Sequence, residues 1–197
     1  MADIELKQFS VGPYDNNVYI LVDTKSGESV LFDAPTDASR IVRELDGTSL
    51  KYILMTHADQ DHIGALRQVK QATGAAVGVH PADAGNLPVP PDLELEDGRI
   101  VRLGTSTLKC LYTPGHTPGS MCFLVGDILI AGDTLFPGGP GSKSGRISPA
   151  EFQQLVESIR SKLFTLPDET RVYPGHGKST TIGAERPHLQ DWIDRGW

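Results

Sequence analysis

Short apolar runs, some of them alternating with polar residues and others continuous, predict the strands of this chain. Residues 4–11 and 17–22 are strand-like on either side of a Gly-Pro turn, which predicts a hairpin. A two-residue Gly-Asp connection at 126–127 predicts a second hairpin. Further strands are predicted at 29–33, 51–55, 75–79, 107–112, 121–125, 128–131 and 171–173.

Helical periodicity falls between and after these two groups of strands. Apolar residues that repeat every three or four positions predict helices at 37–46, 61–74, 149–163 and 185–197. The third helix begins at a capping box formed by Ser148 and Glu151. Two groups of strands with helices between and after them indicate an α/β fold of the helix-sheet-sheet-helix type.

Length and charge narrow the range of partners. A chain of 197 residues predicts a single domain spanning 1–197. A net charge of -7 offers no basic surface for phosphate backbones, which argues against nucleic acid. No apolar run approaches the roughly 20 residues that a membrane span needs, and the N-terminus has no basic region followed by an apolar one. We therefore expect a cytoplasmic protein with small-molecule substrates and no membrane partner. The sequence leaves its oligomeric state open.

One six-residue segment concentrates imidazole and carboxylate groups. His57, Asp59, Asp61 and His62 follow a predicted buried strand and precede a predicted helix, so they lie on a strand-to-helix loop. Imidazole nitrogen and carboxylate oxygen suit zinc, iron or manganese. Their density in this loop predicts a metal site.

Three later residues of the same types also follow predicted strands. His116 lies in a Pro-Gly-His-Thr-Pro-Gly turn, Asp133 follows an apolar strand, and His176 follows the last strand. Loops at strand ends meet at the edge of a sheet, where functional side chains collect. We expect His116 to be a metal ligand. For Asp133, the sequence favours two roles about equally: a metal ligand, or an acceptor of a hydrogen bond within a turn.

The motifs carry a resemblance to a known family. Residues 56–62, Thr-His-Ala-Asp-Gln-Asp-His, resemble the T-H-x-H-x-D-H motif of the metallo-β-lactamase superfamily, and the segments 114–119, 132–136 and 173–177 follow in the family's order. The residues of these motifs are most similar to those of short bacterial proteins of the glyoxalase II (hydroxyacylglutathione hydrolase) type. The resemblance implies a metallo-β-lactamase-like, four-layer αββα sandwich with mixed sheets. Full-length glyoxalase II enzymes carry a further helical C-terminal domain that binds glutathione, and we expect none here.

The resemblance also implies two divalent metal ions, zinc first and iron or manganese as alternatives. The first ion would be held by His57, Asp59, His116 and Asp133. The second would be held by Asp61, His62, His176 and the shared Asp133. A hydroxide bridging two such ions attacks a carbonyl carbon near neutral pH, and Asp61 would orient it as the catalytic residue.

Asp59 departs from the family motif, which has histidine at this position. A harder, anionic oxygen ligand should lower the preference of the first site for zinc and favour iron or manganese. The alternative is that Asp59 only orients a neighbouring ligand.

The glycine-rich segment 137–145 does not match a phosphate-binding loop, because Ser142 and Pro137 occupy two positions that require glycine. We expect an active-site loop instead. By resemblance to glyoxalase II, Lys143 or Arg146 would bind the thiol part of the substrate. A solvated lysine in a flexible loop is an equal alternative.

Five further residues of suitable chemistry are expected to be structural. Cys110 and Cys122 fall in strand-like runs, where free cysteine packs as a small apolar side chain. His80 and His188 lie outside the recurring motifs. Asp33 ends a strand near the candidate site, where loop hydrogen bonding is favoured over holding a metal ligand in place.

The ligand set predicts a metal-dependent enzyme, and the resemblance implies a hydrolase of the glyoxalase II type that acts on the thioester of a small thiol. The alternative is a mononuclear iron persulfide dioxygenase, which the chain also resembles and which would use only His57, His116 and Asp133. A binding module with an inactive site is hard to reconcile with so complete a ligand set. The acyl group and the thiol stay open.

Overall fold

Two mixed sheets pack face to face in the residues that the computed structural model describes, 3–141 and 147–196. The strands of the first sheet follow chain order: β1 Ile4–Val11, β2 Asn16–Asp23, β3 Glu28–Phe32, β4 Ser49–Leu54, β5 Ala76–Val79 and β6 Leu93–Glu94. Its first three strands pair antiparallel, whereas β3 to β6 pair parallel. Parallel neighbours need a crossover connection, which helices provide here.

The second sheet is antiparallel except for one pair. Its strands are β7 Ile100–Leu103, β8 Ser106–Tyr112, β9 Met121–Val125, β10 Ile128–Gly132, β13 Arg171–Pro174 and β14 Thr180–Thr181, adjacent in that order. Strands β10 and β13 pair parallel. Between them in the chain, β11 Leu135–Phe136 and β12 Gly139–Pro140 form a small separate pair.

Helices cover the outer faces of both sheets. On the first sheet they are α1 Ala38–Glu44, α2 Gln60–Ile63, α3 Leu66–Thr73 and α4 Pro81–Ala84. On the second they are α5 Pro149–Ser158, α6 Ile182–Glu185 and α7 Leu189–Arg195, with a π-helical turn Ile159–Leu163 and a 3-10 turn Arg186–His188. No helix among the described residues is long and apolar enough to cross a membrane.

Three apolar layers separate these four layers of structure. In β2, Ile20 packs in the layer beneath the helices of the first sheet, and the next residue, Leu21, packs in the layer between the sheets. Leu129 of β10 packs in the third layer with Leu155 of α5 and Trp192 of α7. Strand side chains alternate between faces, so a strand buried on both faces is apolar at successive positions. The predicted αββα sandwich with mixed sheets is confirmed.

The helix predicted at 61–74 is two helices, which is a correction. At the break, the N–H of Ala65 donates to the carbonyl of Ala34 at 2.9 Å, and the N–H of Ala34 donates to the carbonyl of His62 at 2.9 Å. A Cβ at Gly64 would lie 2.5 Å from the carbonyl oxygen of Pro35. The N–H of Ala65 and the carbonyl of His62, which would bond within a continuous helix, thus bond to Ala34 instead. Glycine at position 64 lets the backbone of Pro35 come this close.

The last two predicted helices, at 149–163 and 185–197, also differ in detail from the structure. The helix that begins after Ser148 ends as an α-helix at Ser158 and continues as the π-helical turn. The helix predicted at 185–197 begins earlier, at Ile182, where the Thr181 side chain accepts from the N–H of Ala184. It narrows to a 3-10 turn at Pro187, which lacks the N–H of an α-helical bond.

Candidate metal centre

The candidate ligands lie together where several strands of the two sheets end. His57 and Asp59 follow β4, and His116 follows β8. Asp133 follows β10 directly, and His176 follows β13, which is parallel to β10. The fold therefore brings four separate stretches of sequence to one edge, the first of which continues into the α2 residues Asp61 and His62.

The first group consists of His57, Asp59 and His116. The Oδ2 atom of Asp59 lies 3.7 Å from Nε2 of His57 and 3.3 Å from Nε2 of His116. A tetrahedral ion with bonds of about 2.1 Å spaces its ligand atoms about 3.4 Å apart. Both separations are close to those of atoms around one ion, and all three ligand atoms lie within 4.8 Å of one another.

The second group consists of Asp61, His62 and His176. The Nε2 atoms of the two histidines lie 3.3 Å apart. Oδ2 of Asp61 lies 3.3 Å from Nε2 of His176 and 3.8 Å from Nε2 of His62. The spacing matches that of the first group.

Asp133 lies between the two groups. Its Oδ2 atom is 3.6 Å from Nε2 of His116 in the first group and 3.5 Å from Nε2 of His176 in the second. Its Oδ1 atom is 3.5 Å from Nε2 of His62. One carboxylate thus faces both groups.

Hydrogen bonds at Nδ1 turn every Nε2 atom toward the centre. His116 donates from Nδ1 to the carbonyl of Gly141 at 2.6 Å, and His176 donates to the carbonyl of Tyr14 at 2.9 Å. A carbonyl can only accept, so both rings carry their proton on Nδ1. Each Nε2 is left with a lone pair for a cation.

The other two histidines are held through one aspartate. Nδ1 of His62 donates to Oδ2 of Asp33 at 3.0 Å. The hydroxyl of Thr56 donates to the same oxygen at 2.7 Å, which leaves its oxygen to accept from Nδ1 of His57 at 2.9 Å. Asp33 therefore fixes the proton positions of one histidine in each group.

Several buried polar atoms of the centre lack a hydrogen-bond partner. They are Nε2 of His57, Nε2 of His116 and Oδ1 of Asp133. Leaving buried polar atoms unpaired costs free energy, so native proteins rarely do so without a bound group. The donor set and its orphaned atoms fit divalent metal ions.

The carboxylates make the centre attractive to positive charge. Burial lowers the pKa of His62, but Asp133 and Asp33 outweigh it and raise the pKa to about 9. Burial opposes ionisation of Asp133, yet the hydrogen bond with His176 and the nearby imidazoles hold its pKa well below the usual range. Burial and the neighbouring His62 lower the pKa of His57, which favours its neutral, ligating form.

The sequence profile of the metallo-β-lactamase superfamily matches residues 11–176. The chain belongs to the metallo-β-lactamase superfamily. It is 34% identical over 202 residues to the probable metallo-hydrolase YqgX of Bacillus subtilis, covering 91% of this chain and 93% of that one. It is 37% identical over 166 residues to the hydroxyacylglutathione hydrolase of Cereibacter sphaeroides, covering 82% of this chain and 62% of that hydrolase.

Solved structures agree on the metallo-β-lactamase fold. The BLEG-1 B3 metallo-β-lactamase superimposes with a TM-score of 0.85 at 30% identity, covering 94% of this chain and 98% of its own. TTHA1623 in a di-iron-bound form gives 0.78 at 31% identity, covering 91% and 96%. ETHE1 from Myxococcus xanthus gives 0.77 at 29% identity, covering 94% and 83%.

Asp33 has a further role besides the loop hydrogen bonding expected from the sequence. Loop hydrogen bonding was the favoured role, and Asp33 does bond the N–H of Thr56 at 2.8 Å. Its other oxygen, however, contacts His62 of the second group. A strand-end aspartate is too common in loops for the sequence to reveal such a contact.

The remaining sequence candidates lie elsewhere or are not described. His80 stacks on Tyr112, and His188 contacts Asp191, as expected for structural histidines. Lys143 and Arg146 lie outside the described residues. Cys110 packs between the sheets and Cys122 packs beneath α5, both as free thiols, so their predicted packing role is confirmed.

Sequence reasoning missed two polar residues that support the site. Asn16 is buried and donates from Nδ2 to Oδ2 of Asp61 at 3.1 Å and to its carbonyl at 2.9 Å. Asp83 is buried against the loops of the first group. Neither lies in a metal-ligand motif, and the turn between β1 and β2 was the one signal that placed Asn16 at a loop.

Proposed function

We propose that this chain is a binuclear metal-dependent hydrolase that cleaves thioesters of a small thiol, as a glyoxalase II does. In this proposal the ligands of the first ion are His57, Asp59, His116 and Asp133. The ligands of the second are Asp61, His62, His176 and Asp133. We also propose that residues 1–197 act as a single domain, since the two sheets share one apolar layer.

The position of Asp133 carries the proposal for two ions. Its carboxylate lies within 3.6 Å of Nε2 of His116 and within 3.5 Å of Nε2 of His62 and His176. A carboxylate has two oxygens and can serve two cations at once. A mononuclear site would not use the second group as metal ligands.

Two bound divalent ions would supply a water molecule of lowered pKa and polarise the acyl carbonyl. In this proposal Asp61 orients that water as the catalytic residue, and Asn16 holds one of its oxygens and its backbone carbonyl in place. The leaving thiolate is stable near neutral pH and needs little protonation. The buried Cys110 and Cys122 take no part as nucleophiles, because burial raises the pKa of both thiols to about 11.

Relatives support the reaction class. The chain is 37% identical to a hydroxyacylglutathione hydrolase, whose name states a thioester substrate, and 34% identical to a probable metallo-hydrolase. The chain spans 62% of the length of that hydroxyacylglutathione hydrolase, so the thiol itself is part of the proposal. We propose a small molecule in this role, with Lys143 or Arg146 at its thiol end.

Zinc is the first candidate for both ions, with iron or manganese as alternatives. A carboxylate at position 59, 3.3 Å from Nε2 of His116, offers a hard oxygen ligand to the first ion. The similar TTHA1623 structure is described as di-iron-bound. The second group has two imidazoles, which suit zinc and iron alike.

The second candidate is a mononuclear iron persulfide dioxygenase. His57, His116 and Asp133 form the two-histidine, one-carboxylate set of such an iron site. The likeness to ETHE1, at 29% identity, fits this alternative. It leaves Asp61, His62 and His176 without a role, which is why we rank it second.

A panel of thioesters tests the proposal. Protein purified without added metal is assayed for thiol release from acylated glutathione and from thioesters of other small thiols. We expect release of thiol with two metal ions per chain. Oxygen consumption with a persulfide substrate and one iron per chain would establish the second candidate instead.

A further inference from the structure

Asp83 of α4 is a buried carboxylate that joins two loops of different sheets. It is 1% exposed. Its Oδ2 atom accepts from the N–H of Ala58 at 3.1 Å and from the hydroxyl of Thr117 at 2.7 Å. Its Oδ1 atom accepts from the N–H of Gly119 at 2.8 Å. Ala58 follows strand β4 of the first sheet, whereas Thr117 and Gly119 follow strand β8 of the second sheet.

The donors to Asp83 flank the first metal group. Ala58 stands between His57 and Asp59, and Thr117 follows His116 directly. Every member of the group His57, Asp59 and His116 is therefore the chain neighbour of a residue that Asp83 holds. The hydrogen bonds described for the Asp83 side chain all come from these two loops and none from the second group.

Gly119 is adapted to this contact. A Cβ at position 119 would lie 2.5 Å from Cγ of Asp83. Real Cβ atoms do not approach so closely, so glycine lets the backbone N–H reach the carboxylate. A second connection, from the N–H of Met121 to the carbonyl of Thr56 at 2.8 Å, joins the strand ends behind the loops.

We propose that Asp83 is a positioning residue that sets the separation of His57 and Asp59 from His116, and so the affinity of the first metal site. This inference rests on the proposed metal centre. Ligand atoms held by the protein at the separations of the bound state lose little freedom when a metal ion binds. Asp83 touches neither metal nor substrate and acts through the backbone of the loops.

Asp83→Asn tests the role at constant size. A carboxamide has one acceptor oxygen, so either the N–H of Ala58 or that of Gly119 faces an NH2 group and loses its acceptor. The loops should then separate without loss of a ligand. Thr117→Val is a milder variant, which removes the 2.7 Å bond to Asp83 and a 2.8 Å contact with the hydroxyl of Ser120. It leaves the N–H groups of Ala58 and Gly119 with their acceptor.

The measurement is a chelator-buffered zinc titration of the metal-free protein, followed by NMR of the histidine ring nitrogens. In Asp83→Asn, we expect the midpoint for His57 and His116 to rise about 10-fold, the lower end of the loss when a supporting partner of a metal ligand is removed. The midpoint for His62 and His176 should stay near that of the wild type. Thr117→Val should shift the first midpoint in the same direction by less.

Asp23→Asn is the matched control. Asp23 is equally buried and accepts from the N–H groups of Ser26 and Thr105 at 2.8 Å and 3.0 Å, at the other end of β2 from Asn16. It should lower thermal stability without moving either zinc midpoint.

Equal midpoints in wild type and Asp83→Asn, or an equal shift in Asp23→Asn, would overturn the role of Asp83. A wild-type protein whose histidines do not respond to zinc would refute the metal centre itself, and the role of Asp83 with it. Absence of thioester hydrolysis in a protein that binds zinc would refute the proposed reaction alone.

Discussion

The Nε2 atoms of His62 and His176 lie 3.3 Å apart and face each other across the second metal group. Each ring donates its Nδ1 proton elsewhere, His62 to Asp33 and His176 to the carbonyl of Tyr14. Two lone pairs at this distance repel unless a cation or a proton lies between them. The carboxylates of Asp61 and Asp133, both within 3.8 Å, favour positive charge there. This geometry supports a metal ion in the second group.

Removing a proposed ligand from either group should abolish hydrolysis and leave the fold intact. His116→Ala and Asp133→Asn change loop residues at strand ends, so we expect little loss of secondary structure. Thiol release should fall by at least about 100-fold, the upper end of the loss caused by removing a mere supporting partner of a ligand. Activity, metal content and circular dichroism are measured together.

His188→Ala is the matched histidine control for these variants. His188 is exposed and contacts Asp191, so its removal should change neither activity nor metal content. Near wild-type turnover and metal content in His116→Ala or Asp133→Asn would show that the ligand assignment is wrong.

Asp59 should set the choice of metal rather than the reaction. Asp59→His restores the family's usual residue, and imidazole is a softer donor than carboxylate. Zinc affinity relative to manganese should rise, and thiol release should persist. Competition titrations of both proteins with zinc and manganese measure the preference. If that preference is the same in the two proteins, Asp59 is not a direct ligand and only orients one.

Asp33 should act on metal binding through His62 and Thr56. In Asp33→Asn, an NH2 group replaces an acceptor facing either Nδ1 of His62 or the N–H of Thr56, both of which donate. We expect metal affinity to fall by about 10-fold to 100-fold. Isothermal titration of the metal-free proteins measures it.

Asp37→Asn is the control for that experiment. Asp33 and Asp37 both have left-handed backbone, with φ of 59° and 52°, which asparagine tolerates. Asp37 caps α1 and contacts no candidate ligand. A loss of metal affinity in Asp37→Asn as large as in Asp33→Asn would contradict a specific role for Asp33.

The features that could be predicted from the sequence are those set by residues adjacent in the chain. The loop from His57 to His62 is one short segment, and His116, Asp133 and His176 each follow a recognisable apolar strand. The order of the strand groups and helices, together with the family resemblance, also predicted the sandwich. Local patterns suffice because side-chain direction in a strand has a period of two.

Contacts between residues far apart in the sequence could not be predicted from local sequence patterns. The break at Gly64 depends on Pro35, which lies 29 positions earlier in the sequence. Asn16 contacts Asp61 across 45 positions, and Asp83 contacts Gly119 across 36. Asparagine and aspartate occur in most loops, so their types alone do not identify a partner so distant in sequence.

Both cysteines should be inert in the folded protein. Burial raises the pKa of Cys110 and Cys122 to about 11, which disfavours the thiolate at any lower pH. At pH 8 the neutral thiol therefore predominates, and the thiolate is the reactive form. Labelling with iodoacetamide should be negligible in native protein at pH 8 and complete in urea. Rapid alkylation of either residue in the native protein would contradict the burial of these thiols.

The proposed binuclear hydrolase is tested most directly by titrating metal-free protein with zinc and, separately, with iron or manganese while thiol release from a thioester is recorded. The account predicts that activity rises until two ions are bound per chain and then stays constant, because Asp133 serves both groups. Full activity at one ion per chain, or no thiol release with both groups filled, would contradict it.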